Sequence, residues 1–178
     1  MGLGVLLALS AFFLIKSGKE AIQETLFEGI IPGAGLMLQD IHFAQNNPEK
    51  GMSWALDAKS MKSSGDKNAI SFNGFRLKIT LKDGAFFELT GGKGNYARET
   101  GEINLWEDLE GVSGNGYRVE TDHMLINEKS GLLSTDKPIK IFGPFFSVEG
   151  RGLLVDSEKE TLKILSNVTA VIDMEPLS

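Results

Sequence analysis

The chain has 178 residues, enough for one domain with a sizeable core and an appendage. Its net charge of −6, with 18 Lys and Arg scattered among 24 acids, argues against a nucleic-acid partner, because binding a phosphate backbone needs a basic stripe. The absence of cysteine excludes thiolate metal sites, cysteine nucleophiles and disulfides. The 21 glycines, about 12% of the chain against a typical ~7%, indicate many tight turns.

The N-terminal residues 1–15 are apolar and uncharged, and the run ends at Lys16. A helix of this length reaches only ~22 Å, short of the ~30 Å hydrocarbon core. A cleaved signal peptide and a buried core helix are the alternatives, but no small-x-small cleavage site follows. We predict a membrane-anchor helix over 1–19. Because Lys16 and Lys19 follow the apolar run, we also expect the natural start to lie upstream.

Residues 20–35 read as a linker or a short extension of the helix. Apolar residues recur near helical spacing until Gly29, and Pro32-Gly33-Ala34-Gly35 then marks a domain boundary. The globular domain is therefore predicted over 36–178.

From residue 36 the apolar period changes from helical to alternating. Apolar and polar residues alternate from Phe75 to Leu81, and Asp83-Gly84 then turns the chain, which is typical of a half-buried strand followed by a hairpin. We find no helical period between 36 and 173.

A longer repeat organises these strands into four units. Each unit begins with an aromatic residue, and these starts are 33, 30 and 29 residues apart: Trp54, Phe87, Tyr117 and Phe146. An aliphatic residue follows two positions later, and a small residue two positions after that: Ala58, Gly91, Thr121 and Gly150. A polar turn comes next, near 64–68, 99–101, 129–131 and 157–160, and then another aliphatic residue: Ile70, Ile103, Leu133 and Leu162.

Each unit is predicted to be a pair of short antiparallel strands that cannot bury its apolar face alone. Stacking four units gives an all-β fold, a β-jelly-roll or open barrel, which segments 36–43 and 168–172 close at the two ends. We expect the apolar residues of one parity to face the interior and to be the candidate lipid-binding set: Trp54, Leu56, Ile70, Phe72, Phe87, Leu89, Ile103, Leu105, Val119, Leu133, Phe146, Val148 and Leu162.

Catalytic motifs are absent from the sequence, and we predict neither an enzyme, a metal site nor a cofactor. His123 has no G-x-S-x-G or H-E-x-x-H partner motif, so it is interpreted as a surface histidine. The run 91–94 departs from the P-loop pattern, so its glycines are interpreted as strand-end glycines. The acids Glu107, Asp108 and Glu110 are interpreted as a solvated loop.

The order of parts resembles the LptC family of the lipopolysaccharide export machinery: an apolar helix, a linker and aromatic-led β repeats. The stretches that carry the resemblance are Trp54-Ala55-Leu56-Asp57-Ala58-Lys59, Asp83-Gly84 before Phe87-Glu88-Leu89, and Gly150-Arg151-Gly152-Leu153 before Leu162-Lys163-Ile164. The apolar run departs from the family pattern, since it is short and no basic residue precedes it.

The resemblance implies a single-pass inner-membrane protein with a periplasmic β-jelly-roll whose interior receives the acyl chains of lipopolysaccharide. It further implies that the protein sits on the LptBFG ABC transporter and passes the lipid to an LptA-like bridge protein by edge-strand pairing. Two other functions remain open: a scaffold domain with a solid core, and a glycan-acting enzyme that would need clustered carboxylates at Glu107, Asp108 and Glu110.

Overall fold

The computed structural model describes residues 35–47, 52–65, 68–81, 83–127, 129–156, 159 and 161–173. Their secondary structure consists of nine strands. The strands are β1 Met37–Asn47, β2 Met52–Ser63, β3 Ala69–Leu81, β4 Phe86–Ala97, β5 Glu102–Ser113, β6 Arg118–Asn127, β7 Leu132–Phe142, β8 Phe146–Asp156 and β9 Thr161–Ile172. The anchor and linker predicted over 1–19 and 20–35 lie outside these residues except for Gly35. The described part of the chain holds no helix long and apolar enough to cross a membrane.

The nine strands form one open antiparallel sheet in which each strand pairs with its neighbours in sequence. The all-β prediction is therefore confirmed. The four predicted units are the hairpins β2–β3, β4–β5, β6–β7 and β8–β9. The connectivity is a meander and lacks the Greek-key connections of a jelly-roll. The sheet resembles a jelly-roll only in that it encloses an apolar interior.

The turns of two of these hairpins are built in the same way. The amide of Gly101 donates to the carbonyl of Ala97 (2.9 Å), and the amide of Gly131 donates to the carbonyl of Asn127 (2.8 Å). Both glycines have positive φ, 70° and 66°, which a residue without Cβ adopts at low cost. The repeated glycine thus reflects a repeated backbone conformation.

The strands have 10–13 residues, so the prediction of short strands was wrong. A line of irregularities crosses the middle of the sheet, where the register shifts in the pairs from β4–β5 to β8–β9. Along this line the backbone has positive φ at six residues: Asp40, Gly74, Glu107, Asp108, Gly152 and Asn167. Bulges of this kind bend and twist a strand without ending it. The irregularities therefore bend long strands and do not divide them into short ones.

The inward-facing positions also change where this line crosses a strand, including strands whose pairing has no bulge. In β2 the buried residues are Leu56 and Ala58 before the line, and Met61 and Ser63 after it. In β3 they are Ile70 and Phe72, followed by Phe75. One parity therefore does not hold along a whole strand, and the expectation that it would was wrong.

The core comprises buried side chains from β2 to β8, with partly buried side chains of β1 and β9 packed against it. The glycines of β4 at positions 91, 92 and 94 lie within the strand rather than at its end, which corrects their sequence interpretation. A Cβ at Gly94 would lie 2.3 Å from Cε2 of Phe72, whose ring is itself buried. The ring therefore lies directly on the backbone of β4.

We expect Gly94→Ala to destabilise the fold by about 1–3 kcal/mol, because the buried Phe72 ring has to move to admit the methyl group. Gly65→Ala is the matched control, since a Cβ there would meet nothing within 4 Å, and it should change stability by less than about 0.5 kcal/mol. Urea unfolding followed by circular dichroism measures both values. Equal stability of the two variants would contradict this description of the β4 packing.

Candidate functional site

An apolar cavity of about 110 Å³ lies inside the folded sheet. By the same measure one water molecule needs roughly 10–15 Å³, so the cavity has room for several non-hydrogen atoms of a ligand. Sixteen residues of the strands β3 to β9 and the β5–β6 turn line it: Leu77, Ile79, Phe87, Leu89, Leu109, Gly111, Ser113, Tyr117, Val119, Thr121, Met124, Ile126, Leu133, Ile141, Leu153 and Leu162. No charged side chain occurs among them.

The cavity exists because the sheet folds back on itself. In a flat sheet with strands ~4.8 Å apart, β3 and β9 would be about 29 Å apart, since six strand spacings separate them. Yet Leu77 of β3 and Leu162 of β9 line the same cavity. Curvature of the sheet therefore brings distant strands to face each other across an apolar space.

The predicted inward residues divide into three groups. Five of the thirteen line the cavity: Phe87, Leu89, Val119, Leu133 and Leu162. Six others belong to the core or pack against it without lining the cavity: Leu56, Ile70, Phe72, Ile103, Leu105 and Phe146. Val148 is half-buried, and the side chain of Trp54 lies outside the described part of the structure.

The prediction missed eleven lining residues. Some of them belong to alternating patterns visible in the sequence, namely Leu77, Ile79 and Ile141. Others follow a bulge, where the inward positions are displaced, as for Leu109 in β5 and Met124 in β6. A prediction based on strict alternation of inward and outward residues cannot include that displacement.

Three lining residues carry polar side-chain atoms, and the structure accounts for two of them. The buried hydroxyl of Thr121 donates to the carbonyl of Pro138 (2.9 Å). Ser113 lies at the β5–β6 turn, where its Oγ accepts from the amide of Tyr117 (3.2 Å). Because these hydroxyls are bonded to the protein, the cavity surface presents apolar groups to a ligand. An alkyl chain is the chemistry that such a surface binds.

The acids considered for an enzyme face outward, at or beside the bulge in β5. Oε1 of Glu107 lies 2.7 Å from Nζ of Lys93, and Glu110 lies 4.0 Å from Arg118. Asp108 and Glu110 border a polar surface depression that Lys140 shares. Among the described residues, no group of three or more His, Asp and Glu side chains could hold a metal ion.

His123 also lies at the bulge line. Its Nε2 is 2.7 Å from Oδ1 of Asn104, and its Nδ1, which is buried and unbonded, is 4.0 Å from Oδ1 of Asp136. A side-chain amide on one nitrogen and a carboxylate beyond bonding distance from the other do not form a nucleophile–base pair.

The two edges of the sheet differ in character. Between Leu165 and Ile172 the outer strand β9 has neither a charged residue nor a proline, and its large apolar side chains are exposed: Leu165 61%, Val168 55%, Val171 52% and Ile172 53%. The other edge strand, β1, carries Asp40 at a positive φ of 48°. β9 also has a residue of positive φ, Asn167 (53°), so the two edges differ in charge and not in backbone regularity. Because the carboxylate of Asp40 protects β1 from pairing and residues 165–172 of β9 carry no charge, β9 is the less protected edge.

Comparison with solved structures finds the crystal structure of LptH from Pseudomonas aeruginosa, described as the LptA homologous periplasmic component of the conserved lipopolysaccharide transport device. The match has 9% sequence identity and a TM-score of 0.31, and it covers 80% of this chain and 96% of LptH. No curated protein sequence matches the chain.

The comparison with protein families gives a match over nearly the whole chain. The sequence model of the family described as "Lipopolysaccharide-assembly, LptC-related" matches residues 4–173. The match confirms the resemblance seen in the repeat. The chain belongs to the LptC-related family of lipopolysaccharide-assembly proteins.

Proposed function

We propose that this protein binds the acyl chains of lipopolysaccharide in the apolar cavity and passes the lipid from an inner-membrane ABC transporter to a periplasmic bridge protein. The observation that carries the proposal is the cavity itself, which seven strands line almost entirely with apolar side chains. Membership of a lipopolysaccharide-assembly family supports lipopolysaccharide as the lipid whose acyl chains this apolar cavity binds. Transfer between proteins is consistent with a site that holds its ligand by burial rather than by charge.

The partners are part of the same proposal. The transporter would be of the LptBFG type, and the acceptor would be an LptA-like bridge protein that adds a strand to the open edge of β9. The exposed apolar side chains of β9 and the absence of charge between Leu165 and Ile172 support this edge as the docking site. The N-terminal segment would anchor the protein in the inner membrane, with the β-domain in the periplasm.

The alternative is a scaffold domain that binds partners without binding lipid. Its distinguishing feature would be a solid core, and the apolar cavity favours the lipid-binding function over it. A glycan-acting enzyme is a weaker alternative, because Glu107 is paired with Lys93 on the outer face.

We expect lipopolysaccharide and an LptBFG-type transporter to accompany the full-length protein when it is purified from membranes. The measurement is lipid extraction with mass spectrometry, together with protein identification, on the same preparation. A preparation that holds the transporter but only the bulk membrane lipids would support the scaffold and contradict lipid binding.

A further inference from the structure

The inward-facing side chains at the two ends of the sheet differ in exposure. Strand pairing aligns five of them, the mouth row, at the end with the turns β3–β4, β5–β6 and β7–β8: Ile79, Phe87, Ser113, Tyr117 and Phe146. It aligns eight, the far row, at the opposite end: Ser63, Ile70, Tyr96, Ile103, Ile126, Leu133, Val155 and Leu162. No residue of the mouth row is buried, whereas five residues of the far row are at most 5% exposed.

The cavity reaches from one row to the other. Four residues of the mouth row line it, and so do Ile126, Leu133 and Leu162 of the far row. Along β6 the lining runs from Val119 to Ile126, which is ~24 Å at ~3.4 Å per residue. Both rows lie at an end of the sheet, so end position alone does not explain why only the mouth row lacks buried side chains. The cavity is therefore more open to solvent at the mouth row.

Tyr117 is held in the mouth row by contacts on two sides. Its carbonyl accepts from the amide of Ser113 (2.9 Å), and its own amide donates to Oγ of Ser113 (3.2 Å). Its ring packs against that of Phe146, with centroids 6.2 Å apart and an interplanar angle of 51°. The Phe146 ring in turn lies on the backbone of the β7–β8 turn, since a Cβ at Gly143 would be 2.7 Å from Cζ of Phe146. The Tyr117 ring therefore has a defined place in the wall of the cavity.

The Tyr117 hydroxyl differs from the other two hydroxyls of the lining residues. Those of Ser113 and Thr121 are bonded to protein groups. Within the part of the chain that the structure describes, no group bonds to the Tyr117 hydroxyl. It is not buried either, because Nδ1 of His123 is the only buried side-chain polar atom without a partner among the described residues. With its ring in the cavity wall and its hydroxyl open to water, Tyr117 lies at the boundary between the apolar cavity and the solvent.

We propose that an acyl chain enters the cavity tail first through the mouth row, and that the Tyr117 hydroxyl donates to the carbonyl with which the chain begins. The proposal rests on the proposed lipid-binding function and adds an orientation and a positioning residue to it. An alkyl tail gains most where it is most fully removed from water, which favours its contact with the buried lining residues Leu109, Met124 and Leu153. The carbonyl would lose its hydrogen bonds to water in the apolar interior, so it remains at the row where Tyr117 offers a donor.

Photo-labelling of the full-length protein in dodecyl maltoside, a detergent without a carbonyl, tests the orientation. The probes are two isomers of methyl hexadecanoate, one with a diazirine at the third carbon and one with a diazirine at the fifteenth carbon. After illumination, peptide mass spectrometry maps the labelled residues. We expect the third-carbon probe to label the mouth row and the fifteenth-carbon probe to label Leu109, Met124 or Leu153.

Tyr117→Phe tests the hydrogen bond, because it keeps the ring and removes only the hydroxyl. Two competitors of similar length displace the probes: methyl hexadecanoate, which has the carbonyl, and heptadecane, which lacks it. We expect the variant to bind methyl hexadecanoate about 2- to 10-fold more weakly than the wild type does, and heptadecane equally well. Tyr96→Phe is the matched control, since Tyr96 is the other tyrosine of the chain, is buried and does not line the cavity. It should bind both competitors as the wild type does.

The contrary results separate this proposal from lipid binding itself. Labels of the third-carbon probe on Ile126, Leu133 or Leu162, or the same labels from both isomers, would overturn the orientation and leave lipid binding intact. In a Tyr117→Phe variant that circular dichroism shows to be folded, an unchanged affinity for methyl hexadecanoate, or equal losses for both competitors, would overturn the role of the hydroxyl. Failure of both isomers to label any lining residue of the wild type would overturn lipid binding together with the proposal.

Discussion

Val119→Phe is expected to weaken lipid binding about ten-fold or more while leaving the protein folded. Val119 is a half-buried lining residue of β6, so the phenylalanine ring can extend into the cavity. Excluding as few as two methylenes from the cavity would lower affinity about ten-fold, at ~0.8 kcal/mol for each. Filling an apolar void leaves stability unchanged or raises it by about 0.5–2 kcal/mol. Urea unfolding and lipid mass spectrometry of the purified variant measure the two effects.

Val155→Phe is the matched control, because Val155 of β8 is fully buried and does not line the cavity. The same change there overpacks a filled core and should cost about 1–3 kcal/mol. If the void were only a packing defect, Val119→Phe would stabilise the protein and leave the amount of bound lipopolysaccharide unchanged. That outcome would favour the scaffold.

Ala170→Pro is expected to prevent docking of an LptA-like partner at the β9 edge. The amide of Asp173 donates to the carbonyl of Phe145 (2.9 Å). Bonded and unbonded pairs alternate in an antiparallel ladder, and Ala170 pairs with Val148, so the Ala170 amide points towards the free edge. Proline there removes a donor that only a docking strand would use, and its ring obstructs that strand.

The expected loss of affinity for the partner is about ten-fold or more, measured by co-purification or by titration of the purified proteins. The stability of the chain itself should change by less than about 1 kcal/mol, because no bond to β8 is lost. Ala170→Ser keeps the amide and is the control that should bind normally. Equal binding by both variants would exclude β9 as the docking edge.

The repeat made the all-β architecture predictable from sequence. Aromatic starts such as Phe87 and Phe146 recur about every thirty residues, and each lies in the first strand of a hairpin or directly before it, as Tyr117 does. Turn chemistry reinforced this pattern, since Gly101 and Gly131 occupy the same position in successive units. Strands and turns of this kind depend on the residues within them, so they can be predicted from the local sequence.

The shape of the cavity could not be predicted in the same way. The bulge at Glu107 and Asp108 inserts residues into β5. Aspartate is enriched at positive φ but is far more often found in other conformations, and glutamate gives no such signal, so the two residues do not reveal the bulge from sequence. Curvature of the sheet then decides which inward residues line a void and which are packed. Phe72 and Phe87 are both inward aromatics, yet Phe72 is packed in the core without lining the cavity and Phe87 lines it.

Site-specific photo-crosslinking in living cells tests lipid binding in the cavity most directly. A benzophenone side chain would replace either of two lining residues, Phe87 and Leu162, or their outward-facing neighbours Glu88 and Lys163. We predict lipopolysaccharide adducts at Phe87 and Leu162 and none above background at Glu88 and Lys163. Adducts at all four positions alike, or at none of them in protein that accumulates normally, would contradict lipid binding inside the sheet.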